Sequence, residues 1–191
     1  MNVRNLLRWK MDLFTSKVKA VYYMNGFYNF GCADDGDIGQ VDGTDCERAA
    51  QESEEKFPHS VKKYFNLNGS DVCTGGDFYD AGDDSSPVSK AYRDWINDWS
   101  GGDCAPGRAS WDPITVYAAI VGTEEAQMWE EEGTDIVDYW GNENFDTDWK
   151  GNNEFHLWFL NDDAKRNVEG IINQAILADP KAKKLREEFL Q

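Results

Sequence analysis

The sequence predicts an α/β fold, a parallel or mixed sheet with helices on its faces. Short apolar, β-rich runs alternate with segments of helical periodicity, the pattern of strands joined by helices. The chain has 191 residues, 40% hydrophobic and 14% aromatic, enough for one domain with a real core. It shows no internal repeat and no long linker.

Lys17 to Met24, KVKAVYYM, reads as a buried strand that breaks at Asn25-Gly26. The stretch Cys32 to Asp45 is acidic and glycine-rich. Cys46 to Lys56 has helical spacing and good helix formers, and Pro58 ends it. Val61 to Leu67 is a second strand, closed by Asn68-Gly69. Asp77 to Pro87 is a polar loop. Val88 to Trp99 is a helix with Val88, Tyr92, Trp95 and Trp99 on one stripe. After the loop Ser100 to Ser110, Pro113 to Val121 reads as a buried helix opened by proline and stopped by Gly122. Phe155 to Leu160 is a third strand. Asn161 or Asp162 caps a helix in which Ala164, Val168, Ile171, Ile172, Ala175 and Ile176 recur at helical spacing. Pro180 ends it, and Lys181 to Leu190 is a charged tail helix. The core is expected around the strand Lys17 to Met24 and the helices Pro113 to Val121 and Ala164 to Ile176. Three strands are few for such a sheet, so a missing portion of the domain is expected.

Charge excludes some functions. Nineteen Lys and Arg stand against 36 Asp and Glu, a net charge of −17. Such a chain repels a polyanion, so nucleic acid and an anionic membrane surface are poor partners. No apolar stretch approaches the ~20 residues of a spanning helix, so no membrane insertion is expected. Arg4, Arg8 and Lys10 interrupt the first residues, which therefore hold no signal-peptide core. Cys32, Cys46, Cys73 and Cys104 form no CxxC pair, and the sequence leaves their three possible pairings open. The even cysteine count, the sequon Asn68-Gly69-Ser70 and the acidity lean towards an extracellular or lumenal setting.

Most site motifs are absent. An EF-hand reading of Asp34-Asp35-Gly36-Asp37 fails, because counting from Asp35 puts Gln40 at position six and Cys46 at twelve. A solvated acidic loop fits better. His59 and His156 lie in no metal-ligand spacing, and His156 reads as a hydrogen-bonded structural histidine inside a strand. There is no HExxH, GxSxG or Walker sequence, and the pairs Gly75-Gly76 and Gly101-Gly102 make no phosphate cradle.

Two segments stand out. In Met24-Asn25-Gly26-Phe27-Tyr28-Asn29-Phe30-Gly31 a strand runs into a turn, which puts Asn29 at a carboxyl end, where parallel sheets bind ligands. In Gly107-Arg108-Ala109-Ser110-Trp111-Asp112-Pro113 the aspartate serves equally as a helix cap or as a functional carboxylate.

With VCTGG and SPVSKAYRDW between them, VYYMNGFYNF and GRASWDPITVYAAIVG resemble the C-terminal half of the inosine-uridine-preferring nucleoside hydrolase family. The match spans roughly residues 15 to 125, in the family's order. The resemblance implies an open, mostly parallel sheet with helices on both faces, and calcium-assisted hydrolysis of ribonucleoside N-glycosidic bonds. It makes Asp112 a calcium ligand and Asn29 a ribose-contacting amide. Tyr28 stands where a ribose-binding glutamate usually precedes the asparagine, and Trp111 where many members have a histidine. Met24 or Asn25 takes the place of a carbonyl ligand. Asn29 and Asp112 are then expected side by side at the carboxyl end of the sheet. The family's aspartate cluster, source of most calcium ligands and the general base, has no counterpart here. The resemblance therefore implies either an enzyme completed by an N-terminal partner chain, with calcium bound only then, or a catalytically inactive, hydrolase-derived structural or interaction subunit, and a partner chain or self-association is expected to cover the edge where the missing strands would lie.

Overall fold

A computed structural model of the chain describes residues 3–24, 43–76, 87–98, 104, 107–138 and 143–176. Asn25, Tyr28, Asn29, the acidic run Asp34 to Asp37, Gly101-Gly102 and the tail helix Lys181 to Leu190 lie outside the described residues.

In chain order the elements are α1 (Val3–Lys17), β1 (Ala20–Tyr23), α2 (Gly43–Lys56), β2 (Lys62–Phe65) and a 3₁₀ turn at Asn68–Asp71. Then come β3 (Cys73–Thr74), α3 (Pro87–Asp98), β4 (Arg108–Ala109) and α4 (Trp111–Val121). The last are β5 (Met128–Val137), β6 (Glu143–Asp146), β7 (Glu154–Phe159) and α5 (Asp162–Ile176). The chain divides into two compact units: Met1–Leu67 with Ala118–Trp158, and Asn68–Tyr117 with Phe159–Gln191.

The first unit holds a five-stranded sheet in the order β1-β2-β7-β5-β6. The three strands legible in the sequence are its parallel part: Tyr22 faces Tyr64 across β1 and β2, and Tyr64 faces Phe155 across β2 and β7. β5 and β6 pair antiparallel. The fold is therefore mixed α/β with a mostly parallel sheet. β5 and β6 are not among the expected strands. Three successive glutamates, Glu130 to Glu132, disguise β5, because glutamate is depleted in strands. Gly133 belongs in that strand for a steric reason: a Cβ there would meet the Phe145 ring at 2.4 Å.

The strand expected to be buried is not. All four residues of β1 are half-buried, because β1 is the end strand of the sheet among the described residues. Its tyrosines cover their neighbours instead, Tyr22 stacking on Tyr64 at 4.7 Å and Tyr23 on Phe65 at 5.6 Å. No element is expected before Lys17, yet α1 is helical, with a break at Lys10. It buries Leu7 and Phe14 with Phe57 and Val61, the two phenyl rings meeting edge-on at 5.7 Å.

In the second unit β3 and β4 pair antiparallel, Thr74 opposite Arg108, and a disulfide joins Cys73 to Cys104. α5 buries Ala164, Val168 and Ile172. Its cap is Asn161, whose Oδ1 accepts the Ala164 N–H at 2.9 Å. α4, whose residues from Ala118 onward belong to the first unit, is buried along one stripe only: Ile114 and Ala118 are covered, while Val116 and Ile120 are 55% and 77% exposed. It stops as expected at Gly122, with φ at +88°. The sequon fares worse. Asn68 is 4% exposed, so a glycan on it has no path to solvent in the folded chain.

Candidate functional site

Three of the four segments that carry the family resemblance meet in the second unit. Ser110 follows β4, and its N–H donates to the carbonyls of Gly69 at 2.9 Å and Val72 at 3.0 Å. Its own carbonyl accepts the Ile114 N–H at 3.2 Å, the first bond of α4, so Ser110 holds the capping position. The Ser110 hydroxyl lies 2.5 Å from the Thr74 hydroxyl, which lies 3.2 Å from the phenol of Tyr92 on α3. Thr74 and Ser110 are fully buried. The result is a chain of three hydroxyls, each able to donate and accept.

Glycines bring these groups together. Gly75 has φ at +88°, and a Cβ on it would lie 2.3 Å from the Tyr92 ring. Its N–H donates to Asn173 Oδ1 at 2.9 Å, and the Cys73 N–H donates to Glu169 Oε2 at 3.2 Å, which ties the turn to α5. At Gly69 a Cβ would meet the backbone and ring of Trp111 at 2.5 Å.

The residues expected to form a site divide accordingly. Trp111 is half-buried, and its ring lies over Gly69. Asp112 is exposed in the first turn of α4, one position past the start of the helix, and is not its cap. Its charge suits the positive end of the helix dipole. Tyr28 and Asn29 lie outside the described residues, and so does their expected approach to Asp112. Met24 is half-buried just beyond β1. Among the described residues no group of three or more His, Cys, Asp or Glu is placed to hold a metal ion. Calcium takes six to eight oxygens, so Asp112 does not by itself fit that role.

A second polar cluster, in the first unit, escaped the sequence reading. Lys63 on β2 is 2% exposed. Its ammonium pairs with Glu54 of α2 and lies 3.0 Å from Glu154 Oε1 on β7. The other Glu154 oxygen accepts the Asp135 N–H at 2.6 Å. Burial pulls the Lys63 ammonium down, but Glu54, Glu154 and Asp135 outweigh it and hold its pKa above the ordinary lysine value. Burial lifts the Glu54 carboxyl above its usual range, against Lys63 and with help from Glu154, since two carboxylates share one ammonium. The adjoining cavity, lined by Tyr23, Ser53, Glu54, Lys63, Asp135 and Glu143, encloses about 280 Å³ including its open mouth. Its enclosed part has room for roughly one water and far too little for a nucleoside. One signal could have found this cluster: Lys63 takes an inward position between Val61 and Phe65 in the two-residue period of a strand.

His156 sits inside β7 as expected, 1% exposed, with the Trp158 ring 4.2 Å away and that of Phe145 at 5.8 Å. Burial pushes its imidazole down to about 4.

No known protein family, curated protein or solved structure matches the chain. Its function has to be argued from the site.

Proposed function

We propose that the chain is the C-terminal half of a nucleoside hydrolase-like protein, which cleaves ribonucleoside N-glycosidic bonds when an N-terminal half completes the site. One observation carries this reading. The segments Thr74-Gly75, Ala91-Tyr92 and Ser110-Trp111-Asp112, singled out from the sequence for that resemblance, converge on a single buried hydroxyl chain. That chain fixes the start of α4, and the start of α4 presents the Asp112 carboxylate to solvent.

Glycosidic cleavage through an oxocarbenium-like transition state needs a positioned base and an activated water, each worth orders of magnitude in rate. Asp112 can supply at most two of the six to eight oxygens that calcium takes. The calcium ion belonging to this reading requires further carboxylates from a partner. A second reading is a catalytically inactive, hydrolase-derived structural or interaction subunit, since the one carboxylate of Asp112 falls far short of the six to eight oxygens of a calcium site.

Ribose release from inosine and uridine in the presence of calcium separates the two. The purified chain is assayed alone and again with any co-purifying partner. The proposal expects turnover only with the partner, lost in Asp112→Asn. Turnover by the isolated chain overturns the half-site argument, and inactivity in both assays favours the interaction subunit.

A further inference from the structure

The hydroxyl chain does not use a neighbouring cation. Arg108 on β4 is exposed, and its guanidinium carbon lies 4.1 Å from the centroid of the Trp95 ring. Trp95 stands three residues after Tyr92 on α3, so it shares the helix face that sends Tyr92 to Thr74. β-pairing sets the other side, since Arg108 lies directly opposite Thr74. The elements that fix the hydroxyl chain therefore also fix this stack.

A guanidinium lying against an indole uses its π face, and its five N–H donors point outward in the plane of the fork. Thirty-six carboxylates outnumber 19 cations in this chain, yet among the described residues Arg108 makes no ion pair. On α3, Lys90 and Asp94 pair with each other, Lys90 Nζ lying 2.7 Å from Asp94 Oδ2. A fork held against an indole, with its donor edge uncommitted among the described residues, suits the bidentate geometry of an oxyanion.

We propose that Arg108, stacked on Trp95, is a binding group for a ligand carrying an oxyanion, either a phosphate monoester or a carboxylate. The site needs only these two side chains and the β3–β4 pairing, so it stands apart from the hydrolase reading. A chain without hydrolase activity, alone or with a partner, would still bind.

Three probes of matched skeleton test it: ribose, ribose 5-phosphate and ribonate, titrated while the Trp95 indole and Arg108 side-chain N–H resonances are followed. At least one anionic probe should shift both signals saturably, and neutral ribose should shift neither. The tighter of the two anions identifies the group. Arg108→Gln should abolish saturation. Arg108→Lys, which keeps the charge but loses the fork, should weaken binding by about tenfold. Circular dichroism and the intact Cys73–Cys104 bridge check that both variants are folded. Equal shifts from ribose or from chloride at the same ionic strength would overturn the proposal. So would unchanged affinity in Arg108→Gln, or no saturation by either anion.

Discussion

Two buried polar networks, one in each unit, are made of opposite materials. In the first unit the buried Lys63 ammonium is set among the carboxyl groups of Glu54, Glu154 and Asp135. In the second, Thr74, Ser110 and Tyr92 link neutral hydroxyls. A neutral network needs only geometry, because each hydroxyl can turn to donate or accept. A charged one also needs balance, since the cost of desolvating an ion is repaid only while its partners remain. The first unit should therefore be brittle to substitution and to pH, and the second tolerant of both.

The largest expected effect is at Lys63. Lys63→Ala leaves Glu54 and Glu154 facing each other without a cation, and stability should fall by about 3–5 kcal/mol in urea titration. Removing the charges together, with Lys63→Met, Glu54→Met and Glu154→Gln, should recover most of that loss, because the glutamine still accepts the Asp135 N–H. A loss below about 1 kcal/mol in Lys63→Ala would mean that the carboxylates are already compensated elsewhere, and the comparison would collapse.

His156 gives the same unit an acid sensitivity. Its imidazole titrates near 4 in the folded chain, against about 6.5 when unfolded. Below pH 6.5 the unfolded state takes up the proton first, so the contribution present at neutral pH shrinks as pH drops and is gone below about 4. The shift corresponds to about 3 kcal/mol. Stability profiles between pH 7 and 4 should show this slope, and His156→Phe should flatten it. A wild-type profile that is level over that range would remove the pH half of the contrast.

Ser110→Ala probes the second unit. It takes one hydroxyl out of the chain and leaves the buried Thr74 hydroxyl short of a partner, and should cost about 1–2 kcal/mol. The loss should be the same at pH 5 and pH 8, since the aliphatic hydroxyls of Ser110 and Thr74 do not titrate. A loss as large as that of Lys63→Ala would show that neutral networks are no more tolerant here than charged ones.

The contrast also explains what the sequence disclosed. Apolar runs announced β2 and β7 because most of their side chains are buried. β5 stayed hidden because Glu130 and Glu131 are committed to partners that no local pattern reveals: Glu130 accepts from Tyr64 and Thr123, and Glu131 from the Trp158 indole. Lys63 was hidden for the same reason, its partners lying nine and 91 positions away on α2 and β7. In the second unit the motif residues were legible as a set, but their roles were not. Ser110 proved to be the cap, and Trp111 a cover for Gly69, because both depend on how closely the 3₁₀ turn approaches. Tertiary proximity overrides a local reading most where the groups are polar.

The smallest effect tests a local rule that the sequence left open between two residues. Asn161 and Asp162 were equal candidates to cap α5, and the bond from Ala164 N–H to Asn161 Oδ1 selects the first. Asp162 lies one residue inside the helix and reaches Lys165 only at 3.7 Å, on a side chain 80% exposed. An exposed pair of that kind is worth a few tenths of a kcal/mol, whereas a capping asparagine is worth about 1. Asn161→Ala should therefore destabilise by about 1 kcal/mol, and Asp162→Ala by no more than about 0.5, most of it lost at high salt. Melting of the two variants at low and high salt separates a hydrogen-bonded cap, which salt leaves alone, from a charge at the end of a helix, which salt erases. If Asp162→Ala proved the costlier change, the helix dipole and not the capping bond would be what starts α5.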